Sequence, residues 1–487
     1  MTIIAQITAR RASAVTIIGF MFCNAAWLPA EDWAQFRGPN ATGIAAESTS
    51  PPIRFSPEEN LQWSADLGRG VACPIVADGR CFVTTMTDAG KFSVLGFDAA
   101  TGEQLWKSEF DVGDAKLPEI TSPNEHASST PASDGKRVFV HFSTIGMIAL
   151  DAKTGAELWR HSLPEPFYLM GWGAANSPII YQDMVIFNLD DDLASYLIAL
   201  DVESGSIRWK TERPEMLGGY AVPVLCTANG RTDVVVAGSG KLKGYDPANG
   251  NELWTCNSLL RTIMTTPVVH EDRMYITVQS FGDTNRLLKS ALLEWRDTNQ
   301  DGKLAKDELE SAFHEKFDQG DHDKDGFLID DEIDDAFQAK TNRVGGGNII
   351  QAIRGGGTGD VTDTHLIFNL DFPTPSNIAS PLAHDGRLLM VKKGGLSAAF
   401  DLNDGSTVWM KKRIDNFGNY YASPIAAGNL IYVPGENGVI VVLKGGPEVE
   451  VLAKNDLGDS IVATPAIANN RIYVRTLQKI YCFSEKK

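Results

Sequence analysis

At 487 residues, with 43% hydrophobic and 22% charged residues, the chain has a globular composition and enough length to bury a large core. Its formal net charge of −18 and its lack of any Lys/Arg-rich run exclude nucleic acid as a partner, because phosphate binding needs clustered cations.

The first segment reads as an address. Arg10 and Arg11 precede the apolar run AVTIIGFMF, and the small residues Ala25, Ala26 and Ala30 follow. Charged, then apolar, then small is the order of a secretory signal, so 1–30 is expected to be a signal peptide and the mature chain periplasmic or secreted. An uncleaved anchor is the alternative, since the apolar run is only marginally short for a span. Cys23 follows Phe22 rather than a small residue, which argues against lipidation there. No later stretch is long and apolar enough to cross a bilayer. The other five cysteines are scattered. Pairing across the Asp78–Gly79 turn sets Val76 opposite Cys81 and turns Cys73 to the other face, so no bridge is expected between them.

From residue 63 onward a repeat takes over. An Asp, a turn ending in Gly, and a Trp four residues later recur as DAATGEQLW (Trp106), DAKTGAELW (Trp159), DVESGSIRW (Trp209), DPANGNELW (Trp254) and DLNDGSTVW (Trp409). Before each comes a small residue, a Pro, an apolar run, a turn and a second apolar run, as in CPIVADGRCFV and TPASDGKRVFV. Asp-Gly turns supply the positive φ of a tight hairpin, and the flanks are rich in Val and Ile. Four strands in about 40 to 50 residues, repeated along a chain, are the signature of a β-propeller blade. The Trp offers a large apolar face for the wedge between neighbouring blades. The Pro-led units fall at Pro74, Pro131, Pro178, Pro223, Pro267, Pro381, Pro424 and Pro465. The last unit lacks an outer strand, and the strand around Trp63 is left over before the first. If it completes the last blade, no open edge remains. The expected fold is therefore all-β: an eight-bladed β-propeller with a small α-helical insert.

The insert breaks the rhythm between Pro267 and Pro381. TPVVHEDRMYITV supplies the first two strands of the fifth blade, NIIQAIR the third, and THLIFNLD the fourth, with Phe368 in the place of Trp. Residues 281–347 are thus an excursion between the second and third strands, which a loop accepts at small entropic cost. Residues 31–280 would carry blades 1 to 4 and the start of blade 5, and 348–487 the remainder. Helical spacing marks RLLKSALLEWR, Lys306–Phe317 and DDAFQAK. Between them, DTNQDGKLAKDE and DHDKDGFLIDDE both match the calcium-loop template. Calcium is a hard cation that takes six to eight oxygens. In the first loop the side chains of Asp297, Asn299 and Asp301, the Lys303 carbonyl and both oxygens of Glu308 would supply them. In the second, Asp321, Asp323, Asp325, the Phe327 carbonyl and Glu332 take the same roles. Gly302 and Gly326 make the sharp bend, and Leu304 and Leu328 stand where paired EF-hand loops form a short β contact. The loops start 24 residues apart, closer than in the usual pair, so one helix would have to leave the first loop and enter the second.

The blades resemble those of the pyrroloquinoline-quinone-type propellers. These include the quinoprotein alcohol dehydrogenases and the non-catalytic propeller lipoprotein of the outer-membrane barrel-assembly machinery. WAQFRGPNATG, GWGAANSP and GDSIVATPAIANNRIYVRT are similar to a secreted subgroup associated with planctomycete-like bacteria. The resemblance implies the fold and a cell-envelope setting with a protein partner. It implies activity only weakly. Quinoprotein dehydrogenases pair adjacent cysteines beside the cofactor, and this chain has no Cys-Cys. Glu125 and His126 could do acid–base work, and Trp172, Tyr420 and Tyr421 could line a ligand site. Structural hydrogen bonding and core packing account for these residues more simply. No catalytic residue is assigned. The reading is a calcium-binding (Ca2+) scaffold, with two alternatives. One is a quinone-dependent oxidoreductase, and the other is polysaccharide or peptide binding at the ring face.

Overall fold

A computed structural model of the chain describes residues 32–87, 90–112, 117–168, 171–216, 218–257, 264–280, 287–339, 347–371, 378–415 and 418–486. The expected signal segment, and the stretches 281–286 and 340–346 at the ends of the excursion, lie outside these residues. Among the described residues, eight blade sheets follow one another around the ring, each built on four antiparallel strands, and blade 4 gains a short fifth, Gly359–Asp360, parallel to Trp254 and Thr255. Blade 1 runs Ile75–Ala77, Arg80–Met86, Phe92–Asp98 and Gln104–Phe110. Blades 2, 3, 4, 6 and 7 repeat the plan from Ala132, Ile179, Val224, Leu382 and Ile425. Hairpin turns form where both central residues accept positive φ, as at Asp78 (46°) and Gly79 (72°). Val76 pairs with Cys81 across that turn, and Cys73, Cys81, Cys226, Cys256 and Cys482 are all buried and form no disulfide among the described residues.

The first strand of each blade lies innermost, since the first strands of neighbouring blades approach one another. That series includes Ala466–Ala468 of blade 8 against Ile75–Ala77 of blade 1, so the ring is closed. Leu61–Asp66 pairs antiparallel with Lys479–Phe483 and is the outer strand of blade 8. One sheet therefore joins sequence from both ends of the ring.

The small residue before each Pro has a specific task. Its N–H donates to the matching side chain of the next blade. Cys73 donates to Thr130 Oγ1 (3.1 Å), Thr130 to Ser177 Oγ (3.0 Å) and Val222 to Thr266 Oγ1 (3.1 Å). Thr266 donates to Ser380 Oγ, Ser380 to Ser423 Oγ and Ser423 to Thr464 Oγ1, each at 2.9 Å. Thr464 returns to Cys73 Sγ at 3.2 Å. Only the step from Ser177 to blade 4 lacks a side-chain acceptor, because Val222 carries no hydroxyl.

At the rim, the Trp of one blade lies on the turn glycine of the next. A Cβ on Gly102, Gly155, Gly205 or Gly250 would sit 2.5, 2.6, 2.5 or 2.4 Å from the rings of Trp63, Trp106, Trp159 and Trp209. Each of these indoles donates to a backbone carbonyl of the next blade: Ala99, Ala152, Val202 and Pro247. The hydrophobic core is accordingly divided into wedges, each shared by adjacent blades.

In blade 5, Arg273–Ser280 pairs with Gly347–Arg354 along its whole length, from Arg273↔Arg354 to Ser280↔Gly347. Between these strands lie three short helices: α1 (Leu288–Arg296), α2 (His314–Gly320) and α3 (Asp330–Phe337). The helix expected over Lys306–Phe317 is broken. Lys306–Glu308 and Ser311–Phe313 are 3-10 turns, and Leu309 (ψ 146°) and Glu310 (ψ 143°) between them are extended. An unbroken 12-residue helix would be about 18 Å long and would hold the two loops apart. Instead Leu304–Ala305 and Phe327–Leu328 form a two-stranded sheet with Leu304 opposite Leu328.

Candidate metal centre

The two acidic loops fold alike, residue by residue. The residues at the fourth and sixth places have positive φ: Gln300 (61°) and Gly302 (81°), and Lys324 (61°) and Gly326 (87°). A Cβ at either glycine would meet nothing within 4 Å, so backbone conformation rather than space calls for glycine here. The bend aims the Gly302 N–H at Asp297 Oδ2 (2.8 Å) and the Gly326 N–H at Asp321 Oδ2 (3.1 Å). Asp301 N donates to Asn299 Oδ1 (2.8 Å), and Asp325 N donates to Asp323 Oδ1 (3.0 Å). Lys303 N and Phe327 N donate to the Oδ1 atoms of Asp301 and Asp325 at 3.0 and 2.8 Å.

The twelfth residue closes each loop. Glu308 accepts from Thr298 N (2.8 Å) and Ala305 N (2.9 Å), and Glu332 accepts from His322 N (3.0 Å) and Ile329 N (3.2 Å). The Ala305 N–H, then Thr298, hold the Glu308 carboxyl below the usual range. In the second loop, carboxylate oxygens of Asp321, Asp323 and Asp325 lie within 4.8 Å of one another. Asp321 Oδ1 is buried and has no hydrogen-bond partner. Three like charges at that range repel, and a cation among them would offset the repulsion. The set is all oxygen, which suits a hard cation over a soft one. Lys303 and Phe327 hold equivalent places in the two loops, and the Lys303 ammonium lies 4.7 Å above the Phe327 ring.

The loops rest on a small core of their own. Leu288, Leu292, Phe313, Phe317, Leu328, Ile333 and Phe337 are buried together. Phe167 and Leu193 of the propeller pack against that core. Nothing in the local sequence marks those two residues as its neighbours.

The ring centre is differently built. Trp33 pairs with Val76 of blade 1, and Ser133 N of blade 2 donates to Ala34 O. Asn40 exchanges two hydrogen bonds with Leu225 of blade 4, and Ala426 of blade 7 bonds Gly43 and Ala45. The segment WAQFRGPNATG therefore spans the ring from side to side. Arg37, fully buried, reaches the carbonyls of Pro381 (2.7 Å) and Pro424 (3.4 Å), which precede the first strands of blades 6 and 7. Burial pushes its guanidinium down to about 9. Arg475, also buried, donates to Ala72 O (3.2 Å) and Thr84 O (2.7 Å). These residues hold the centre together, and the sequence reading did not single them out.

The remaining candidates lie in mixed surroundings. Glu125 takes a two-pronged ion pair from Arg69 (Nη2–Oε2 2.8 Å) and lies close enough to His126 to attract its charged form. Burial lowers the His126 pKa. Trp172 is half-buried beside Tyr220 (ring centroids 6.2 Å apart), Tyr420 is buried and Tyr421 is half-buried. Asp190 and Arg213, at 0% and 1% exposure, form a buried pair at 2.9 Å that also engages Asn188 and Tyr245.

The model of one protein family, described as outer membrane protein assembly factor BamB, matches residues 57–170, 90–329 and 335–486. The assembly factor BamB of Shewanella oneidensis is 22% identical over 272 residues, which is 51% of this chain and 63% of that protein. The quinohemoprotein alcohol dehydrogenase ADH IIB of Pseudomonas putida is 28% identical over 156 residues, covering 31% of this chain and 21% of that one. The chain thus spans just under two thirds of the first relative and about a fifth of the second. Among solved structures, BamB from Moraxella catarrhalis superposes with a TM-score of 0.52 at 16% identity, over 88% of this chain and 97% of that one. The quinohemoprotein alcohol dehydrogenase from Comamonas testosteroni gives 0.54 at 13% identity, over 96% and 82%. These likenesses speak to fold.

Proposed function

We propose, from the premise that this chain belongs to the family described as outer membrane protein assembly factor BamB, that it is a non-catalytic propeller scaffold of the cell envelope carrying a calcium-binding EF-hand pair. In this reading 1–30 is a signal peptide, 281–347 is the insert, and the mature protein is periplasmic or secreted. Among the described residues, no helix is long and apolar enough to cross a membrane. The family's name and the envelope setting of an assembly factor support a protein partner held on the ring.

One observation carries the calcium part. Two twelve-residue loops, matched in φ and in hydrogen bonds, meet at Leu304 and Leu328. Asp297, Asn299, Asp301, the Lys303 carbonyl and Glu308 are the ligands of the first ion. Asp321, Asp323, Asp325, the Phe327 carbonyl and Glu332 are those of the second. Calcium would supply charge compensation and loop closure there, and the chain's residues supply position. In an extracellular setting an affinity of about 10⁻⁴ to 10⁻³ M suffices. Calorimetric titration of the full chain with calcium should show saturable binding that the Glu308→Gln, Glu332→Gln double variant loses. Undiminished binding in that variant would refute the ligand assignment.

The quinone alternative has the weaker footing. Its sequence support covers a fifth of the dehydrogenase, while Trp33 and Arg37 are buried in the segment that crosses the ring.

A further inference from the structure

The insert leaves the ring at blade 5, yet the propeller residues packed on its core belong elsewhere. Phe167 lies in the loop leading into blade 3, and Leu193 lies between the second and third strands of blade 3. The Phe167 ring meets Phe313 edge-on at 5.2 Å, and Phe313 meets Phe337 of α3 at 5.7 Å. Beside them Lys316 of α2 is half-buried. Burial lowers its pKa, while Asp191 and Asp192 of blade 3 attract it.

The receiving surface is prebuilt by one carboxylate. Asp191 Oδ2 accepts from Phe167 N (3.0 Å), and its Oδ1 accepts from Leu193 N (3.0 Å) and Ala194 N (2.5 Å). Asp192 N returns a bond to Phe167 O at 2.9 Å. Asp191 therefore ties the two apolar docking residues into one rigid platform.

The docking segment of the insert, Phe313 to Phe317, is bracketed by the last ligand of one loop, Glu308, and the first of the next, Asp321. Closing both loops around cations fixes both ends of that segment. We infer that Phe167, Asp191 and Leu193 form an intramolecular docking site for the calcium-loaded insert, so that calcium straps blade 5 to blade 3 across the intervening blade 4. The inference rests on the calcium reading above. Linkage makes it reciprocal: whatever factor docking adds to calcium affinity, calcium adds to docking.

Two measurements on the full chain test it. Phe167→Ala should weaken calcium binding by roughly two- to tenfold, the worth of one aromatic pair, while Phe167→Leu recovers most of the loss. Calcium should also slow tryptic cleavage at Lys316 in the unsubstituted chain and fail to do so in Phe167→Ala. If calcium binds the unsubstituted chain and Phe167→Ala with equal affinity and equal protection of Lys316, the strap is overturned and the calcium site stands. If the unsubstituted chain binds no calcium, both fall.

Discussion

The ring and the insert both turn on aspartates that precede a glycine, and they use them in opposite ways. In the ring the turn carboxylates of Asp98, Asp151 and Asp201 lie in separate blades and each is met by local donors. Asp98 accepts from Ala100 N, Thr101 N and the Thr101 hydroxyl, and Asp151 and Asp201 repeat the pattern with Thr154 and Ser204. Those bonds hold the three carboxyls below the usual range. In the insert the aspartates converge instead, three of them within 4.8 Å, and one buried oxygen finds no donor. Diverging carboxylates build a turn that needs nothing further. Converging ones build a turn that is complete only with a cation. The ring should therefore be stable by itself, and the insert conditionally so.

The largest expected effect breaks the ring from within. Asp190→Ala leaves Arg213 buried without its counter-charge, and urea unfolding should show a loss of about 3–5 kcal/mol. The next is Gly205→Ala. Its φ is +69° and the new methyl would meet Trp159, so a loss of about 2–3 kcal/mol is expected in the same assay. Neither change touches the loops, so calcium binding by the folded fraction should persist. Glu308→Gln with Glu332→Gln works the other way. The main unfolding transition in chelator should stay within about 0.5 kcal/mol of the unsubstituted chain, while its response to added calcium disappears. The smallest effect is a gain. Val222→Thr offers the missing hydroxyl to the Ser177 N–H and should add about 0.5–1 kcal/mol. A loss there would mean that the hydrogen-bonded circuit matters less than the packing of Val222.

These contrasts also explain what could be read in advance. The blades were legible because each repeat states its jobs in residues: Pro after a small hydroxyl, Gly under Trp, Val and Ile beside a tight turn. The strand around Trp63 could be paired with the last blade because an open edge would otherwise remain. The loops were legible because a fixed template sets their ligands. The broken helix was not. Lys306–Phe317 has helical spacing, and only the long-range pairing of Leu304 with Leu328 forces Leu309 and Glu310 to be extended. Arg37 was not legible either. WAQFRGPNATG served as a mark of resemblance, but its arginine is buried by carbonyls 344 and 387 positions away. Phe167 and Leu193 were missed for the same reason, since their neighbours lie in another blade's excursion.

Hydrogen exchange of the full chain, in calcium and then in chelator, tests the division between ring and insert most directly. The account predicts that chelation raises exchange across 288–337 and at the docking residues around Phe167 and Leu193, while the first three strands of the other blades are unchanged. Equal exchange in both conditions over 288–337, or a rise spread evenly around the ring, would contradict it.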